Sequence, residues 1–169
     1  MSQRKKFRRL SIAVQELFML IAEMKHIKDS NQTGICVSVS DRKTGDILME
    51  KTFGLLHADQ EESYKIFCQQ RASWLYYHPD AICSIENGED LFTGAVSGRK
   101  YIVAVAGLDP PDNSAVAILI LSQIEDKRRD RDSRDRYIRM SECWDDLYSI
   151  LDFLSCVHKI DLFDRFNAV

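Results

Sequence analysis

Histidine and cysteine are the side chains best suited to chemistry near neutral pH, and in this chain their spacing argues against most of it. His26, His57, His78 and His158 are separated by 31, 21 and 80 residues. No two therefore stand four apart on one helical face, the arrangement that grips a metal ion. Cys36, Cys68, Cys83, Cys143 and Cys156 include no CxxC pair. Each lies in an apolar run, where cysteine behaves as a small hydrophobe, and neither Cys68 nor Cys83 has a histidine placed to serve as its base. Gly94, Gly98 and Gly107 miss the phosphate-loop spacing, and no Gly-Lys-Ser or Gly-Lys-Thr occurs; they read as turn and bulge glycines. The sequence thus predicts no catalytic residue set and no metal site, and the chain is read as a non-enzyme.

Binding chemistry has more support. His57 follows a predicted strand, His78 closes a predicted helix and Arg71 lies within that helix, so these three are the candidates for the rim of a ligand pocket. Either histidine could ligate a haem iron or polarise a ligand, or be no more than an exposed loop side chain. Arg8-Arg9-Leu10-Ser11 has the form that basophilic kinases accept, which makes Ser11 a candidate phosphorylation site beside a basic helix start.

These residues need elements to hold them. In residues 7–24 the apolar side chains Phe7, Leu10, Val14, Leu17, Phe18, Ile21 and Met24 recur at helical spacing. Arg4, Lys5, Lys6, Arg8 and Arg9 burden the start of this helix, where the macrodipole is already positive, and predict fraying or an anionic partner. Ile35, Val37 and Val39 alternate with Cys36, Ser38 and Ser40, the period of a half-buried strand. Gly45 then turns the chain into a second strand carrying Ile47, Met49 and Phe53. Residues 63–77 predict a helix with Tyr64, Phe67, Cys68, Arg71, Trp74 and Leu75 on one side, ending before Pro79. Three further strands are expected at 81–85, 91–96 and 101–108, the last apolar on both faces and so central. Residues 115–121 could be a strand on composition, but Pro110-Pro111-Asp112-Asn113 opens a helix.

The fold class predicted is α+β, an antiparallel sheet of about five strands covered by helices in a profilin-like or sensor-like arrangement. Residues 1–123 form the domain. Residues 125–139 hold seven basic and five acidic side chains, which cannot make a core, so 124–140 is read as a charged connector. Residues 141–169 carry a helical stripe of Trp144, Leu147, Leu151, Leu154 and Val157, a C-terminal extension packing on the domain or on a partner. A net charge of −3 gives no field for nucleic acid. An odd cysteine count, no signal-peptide apolar region and no span of roughly 20 apolar residues predict a cytoplasmic protein without a transmembrane segment.

Several segments resemble the haem-binding, glycolate-operon-type domain family: Val37-Ser38-Val39-Ser40-Asp41 leading through Gly45 into Ile47-Leu48-Met49, then 63–71, then Gly94-Ala95-Val96 and the 102–108 strand with Asp112 opening a helix. The likeness covers about residues 10–123; Ala106 stands where that family has a serine, and Gln70-Arg71-Ala72 replaces its Lys-Ala. The resemblance implies a small-ligand or haem binder that self-associates, with haem as the candidate cofactor. The reading is a non-catalytic ligand-binding or sensing accessory module. Its alternative is a dimerisation scaffold built on the N- and C-terminal amphipathic helices.

Overall fold

The computed structural model describes residues 3–84 and 94–125, together with Ser149, Ile150 and Asp152. In chain order the elements are α1 (Gln3–Ile21), α2 (Lys25–Asp29), β1 (Gly34–Asp41), β2 (Ile47–Gly54), α3 (Ala58–Tyr77), β3 (Ala95–Ser97), β4 (Tyr101–Ala106) and α4 (Pro110–Glu125). The strands form one antiparallel sheet in the order β2-β1-β4-β3. The fold class is α+β as predicted, with four strands among the described residues where about five were expected. At the fifth position, 81–85, the described residues make only an isolated bridge from Cys83 to Val96. Pro79 and the turn closed by Ala81 N–H on the His78 carbonyl keep the chain bent up to that point. Ser84 then satisfies the Ala95 N–H with its hydroxyl, at 3.1 Å, where a ladder carbonyl would otherwise serve.

Helical periodicity is the reason α1 exists, and its predicted stripe is the buried one: Phe7, Leu10, Val14, Leu17, Phe18, Ile21 and, just past the helix end, Met24 are all buried. They pack with α4 against Ile35, Val37, Val39, Val96, Val103 and Val105 of the sheet, and Ile150 joins the same cluster. Lys6 fixes the register of α1. Its ammonium donates to the Ile124 carbonyl at 2.9 Å and to the Tyr101 hydroxyl at 3.1 Å.

The helix α4 forms in spite of its β-branched composition. Proline at its first two positions gives up no N–H that the helix would use. Asn113 holds the entering chain twice, accepting from the Leu108 N–H at 3.1 Å and donating to the Leu108 carbonyl at 2.7 Å. Every residue from 112 to 121 is buried, as befits a helix that is apolar nearly all round.

The β1–β2 hairpin turns on Asp41, whose carboxylate accepts the Lys43 and Thr44 N–H groups at 2.8 and 3.2 Å, with Gly45 at φ 77° completing the reversal. β1 departs from the half-buried strand its alternation suggests. It is buried on both faces from Gly34 to Ser40, because helices cover the sheet on both sides. Of the connector expected at 124–140, Ile124 and Glu125 are the last residues of α4 and the rest lies outside the described residues, as does most of 141–169.

Glu125, the last residue of α4, accepts three backbone N–H groups from the β3–β4 turn: Arg99 at 2.7 Å, Lys100 at 2.8 Å and Tyr101 at 2.9 Å. Bonds to an ionised acceptor are the stronger kind. Glu125→Ala is therefore expected to cost about 1–3 kcal/mol in urea unfolding. A loss below about 0.5 kcal/mol would show that the hairpin is held by other means.

Candidate functional site

The two faces of the sheet differ in chemistry. Towards α1 and α4 the strands present branched aliphatic side chains; towards α3 the alternate positions carry Cys36, Ser38 and Ser40 from β1, Ile102, Ala104 and Ala106 from β4, and Ala95 and Ser97 from β3. Ser38, Ser40 and Ser97 are 0, 2 and 3 % exposed. In register, Glu50, Ser38, Ala104 and Ala95 form one row across the four strands. Among the described residues only one helix lies over this face. A helix about 10 Å wide spans roughly two strands at about 4.8 Å spacing, so α3 roofs the centre of the sheet.

From α3 the residues that enter are Cys68, Arg71, Ala72 and Leu75. Arg71 is the unusual one, a guanidinium only 7 % exposed. It donates to the Val105 carbonyl at 2.6 Å and lies 5.9 Å from the Phe67 ring centre. Burial pulls its pKa down and the neighbouring Cys68 opposes this; an arginine still keeps its proton there at any physiological pH. Gly94, at φ 117°, makes room for it. A Cβ at that position would lie 2.7 Å from the Val105 oxygen and 2.9 Å from both the Arg71 guanidinium and Asn113 Cβ. Arg71 thus joins α3 to the end of β4.

Cys68 directs its thiol at the Cys36 carbonyl, 3.4 Å away. Its contact with Cys36, burial and the charge interaction with Cys36 push the thiol well above the usual range, and Arg71 offsets part of this. A protonated thiol is a poor nucleophile. Two hydroxyl oxygens on this face, Ser38 Oγ and Ser97 Oγ, are buried without a hydrogen-bond partner. Such a group costs about 1–3 kcal/mol, so its persistence calls for a reason.

The three residues predicted to rim a pocket are not brought together. His57 is exposed and immediately precedes α3, its N–H donating to the Gln60 side chain at 3.2 Å. His78 is exposed at the other end, with its ring stacked 4.1 Å from Trp74 and its Nδ1 2.7 Å from the Trp74 carbonyl. The helix between them has 20 residues, about 30 Å of rise. Arg71 lies between but faces the sheet. Neither imidazole reaches the α3 layer, so the described residues do not fit an enclosed haem with a histidine ligand there. Ser11 is half-buried, and its hydroxyl accepts from Lys51 Nζ at 2.8 Å. Among the described residues no group of three His, Cys, Asp or Glu side chains could hold a metal ion, and no helix is long and apolar enough to cross a membrane.

Sequence reasoning passed over Ser38, Ser40 and Ser97 because polar residues alternating along a strand look like a solvent face. The available signal was in β4, where Ala104 and Ala106 leave room for a close helix over the same side. Comparison with protein-family models, curated proteins and solved structures gives no match to the chain.

Iodoacetamide at pH about 8 is expected to leave Cys36 and Cys68 unmodified in the native protein and to label both in denaturant. The raised thiol also sets a sign for stability. The folded state holds the Cys68 proton more tightly than the unfolded chain, whose ordinary value is 9.0. This contribution is therefore complete below about pH 9 and lost as pH rises above it. Denaturant titrations at alkaline pH should show that decline in the native chain and a shallower one in Cys68→Ala. Equal slopes would contradict the assignment.

Proposed function

We propose that the chain is a non-catalytic module that binds or senses a small ligand, and that the ligand engages the α3 face of the sheet. The observation that carries this reading is the pair of buried hydroxyls at Ser38 and Ser97, without a partner among the described residues, in a sheet whose other face packs on a cluster of large aliphatic and aromatic side chains. A fold needing only stability would gain by alanine or valine at either position. Hydroxyls kept there at a cost are available to hydrogen-bond a guest, and Arg71 adds a fixed positive charge. Together they favour a small organic molecule bearing carboxylate or carbonyl acceptors, with an apolar body to lie on Ala95, Ile102 and Ala104. Entry would require α3 to yield. That helix contributes only four buried residues, two of them Ala72 and Cys68, and is the thinner of the two layers. Haem, which the family likeness implies, is a version of this reading without an axial histidine from His57 or His78.

A second reading, self-association, rests on a different surface from the one the sequence suggested. The apolar stripe of α1 is already buried in the domain's own core. β2, however, is an edge strand, and exposed apolar side chains stand at its ends and on α3: Ile47 at 49 %, Leu55 at 82 %, Ile66 at 45 % and Phe67 at 37 %. Light scattering that gives a dimer for the native chain and a monomer for Ile47→Lys would support it.

Thermal unfolding with hemin and with a panel of small mono- and dicarboxylates tests the leading reading. A ligand at 100 times its Kd should stabilise the chain by about 2.7 kcal/mol. Ser38→Ala and Ser97→Ala should abolish most of that gain while leaving the ligand-free Tm unchanged or raised by a few degrees, about 2–4 °C. A ligand-free Tm lowered by the same substitutions would mean the hydroxyls serve the fold, and the reading would fall. A Soret band on adding hemin that survives His57→Ala and His78→Ala would remove His57 and His78 as haem ligands.

A further inference from the structure

We infer that the outward face of α1 docks on an anionic lipid surface. The inner face of this helix is committed to the core, and Lys6 is held by Ile124 and Tyr101. Arg4, Lys5, Arg8 and Arg9 are exposed, and no acid occupies the first turn. Lys5, Ile12 and Met19 recur every seven residues, so they share one outward line along the helix, with Arg8 beside it. Ile12 is 55 % exposed and Met19 61 %. The result is a surface with four exposed cations over the first turns and two large apolar side chains along the same line, with one exposed carboxylate, Glu16, between them.

Charge complementarity selects the partner. Arg4, Lys5, Lys6, Arg8 and Arg9 carry five positive charges, so the rest of the chain, on a formal total of −3, carries −8. A polyanion is therefore attracted to this end, while the other net-basic run, residues 125–139, sums to only +2 because five acidic side chains are interleaved with its seven basic ones. Positive charge at a helix N-terminus is unfavourable in isolation, and an anionic surface relieves it. Ile12 and Met19 separate a bilayer from a nucleic acid. They gain from burial at the headgroup and acyl boundary and gain nothing against a phosphodiester backbone. The surface is independent of the α3 face, so ligand binding and membrane docking can fail separately.

Co-sedimentation of the full chain with phosphatidylcholine vesicles, with and without about 30 mol% phosphatidylserine, is the test. Binding is expected only with phosphatidylserine, weakening as salt rises from about 50 to 300 mM. At about fivefold per cation, Arg4→Gln, Lys5→Gln and Arg8→Gln together should lower the partition about a hundredfold. Ile12→Ser with Met19→Ser should lower it about tenfold or more at unchanged charge. All these positions are exposed, and circular dichroism confirms that the variants are folded. Equal partition into both vesicles, an unaffected triple variant, or tighter retention by an RNA duplex than by the vesicles would overturn the inference.

Discussion

Pairing β1 with β4 in the middle of a four-stranded sheet leaves neither strand a side that touches water. Helices must then cover both faces, and the remaining elements follow from that requirement. On one face α1 and α4 supply an apolar layer thick enough to bury Ile35, Val37, Val39, Val103 and Val105. On the other, a single helix among the described residues, α3, comes close because β1, β3 and β4 offer it only cysteine, serine, alanine and one isoleucine. Small side chains permit close approach, and close approach removes water from the serines. The orphaned hydroxyls, Ser38 on β1 and Ser97 on β3, lie on the face that this helix covers.

The division of labour between the faces gives the functional reading its physical content. Aliphatic burial contributes on the order of 1.5–3 kcal/mol for each large side chain, so the α1 and α4 layer holds most of the stabilising contacts. The α3 layer is anchored by fewer and more polar ones: the Arg71 bond to Val105, the Cys68 contact with Cys36, and the bond from Gln69 to Glu50 at 3.0 Å at the sheet margin. Regions that must admit a guest are drawn from the less stable part of a fold. In this molecule the layer with the smaller apolar cluster is also the one with the unpartnered hydroxyls.

Much of this architecture was legible in the chain. The stripe from Phe7 to Met24 named the buried face of α1 residue by residue, since a three-and-four period leaves little ambiguity. Pro110-Pro111 outweighed the strand-like run after it, and α4 is the helix that follows. What stayed hidden depends on pairing. The serines of β1 look solvated until β4 is placed beside them and α3 above, and no local pattern says so. The strand expected at 81–85 was lost to Pro79 and to the Ser84 hydroxyl, a side chain competing with the ladder. His57 and His78 drew attention as titratable groups near element ends, yet the length of α3 keeps them apart.

Native-state amide hydrogen exchange measures the asymmetry directly. The amides of β1 and β4 are expected to exchange only through global unfolding, while those of α3 around residues 68–75 exchange through a smaller opening, at least about 1–2 kcal/mol below the global value. Exchange of α3 at the global limit, or exchange of β1 as fast as that of the edge strand β2, would contradict that asymmetry.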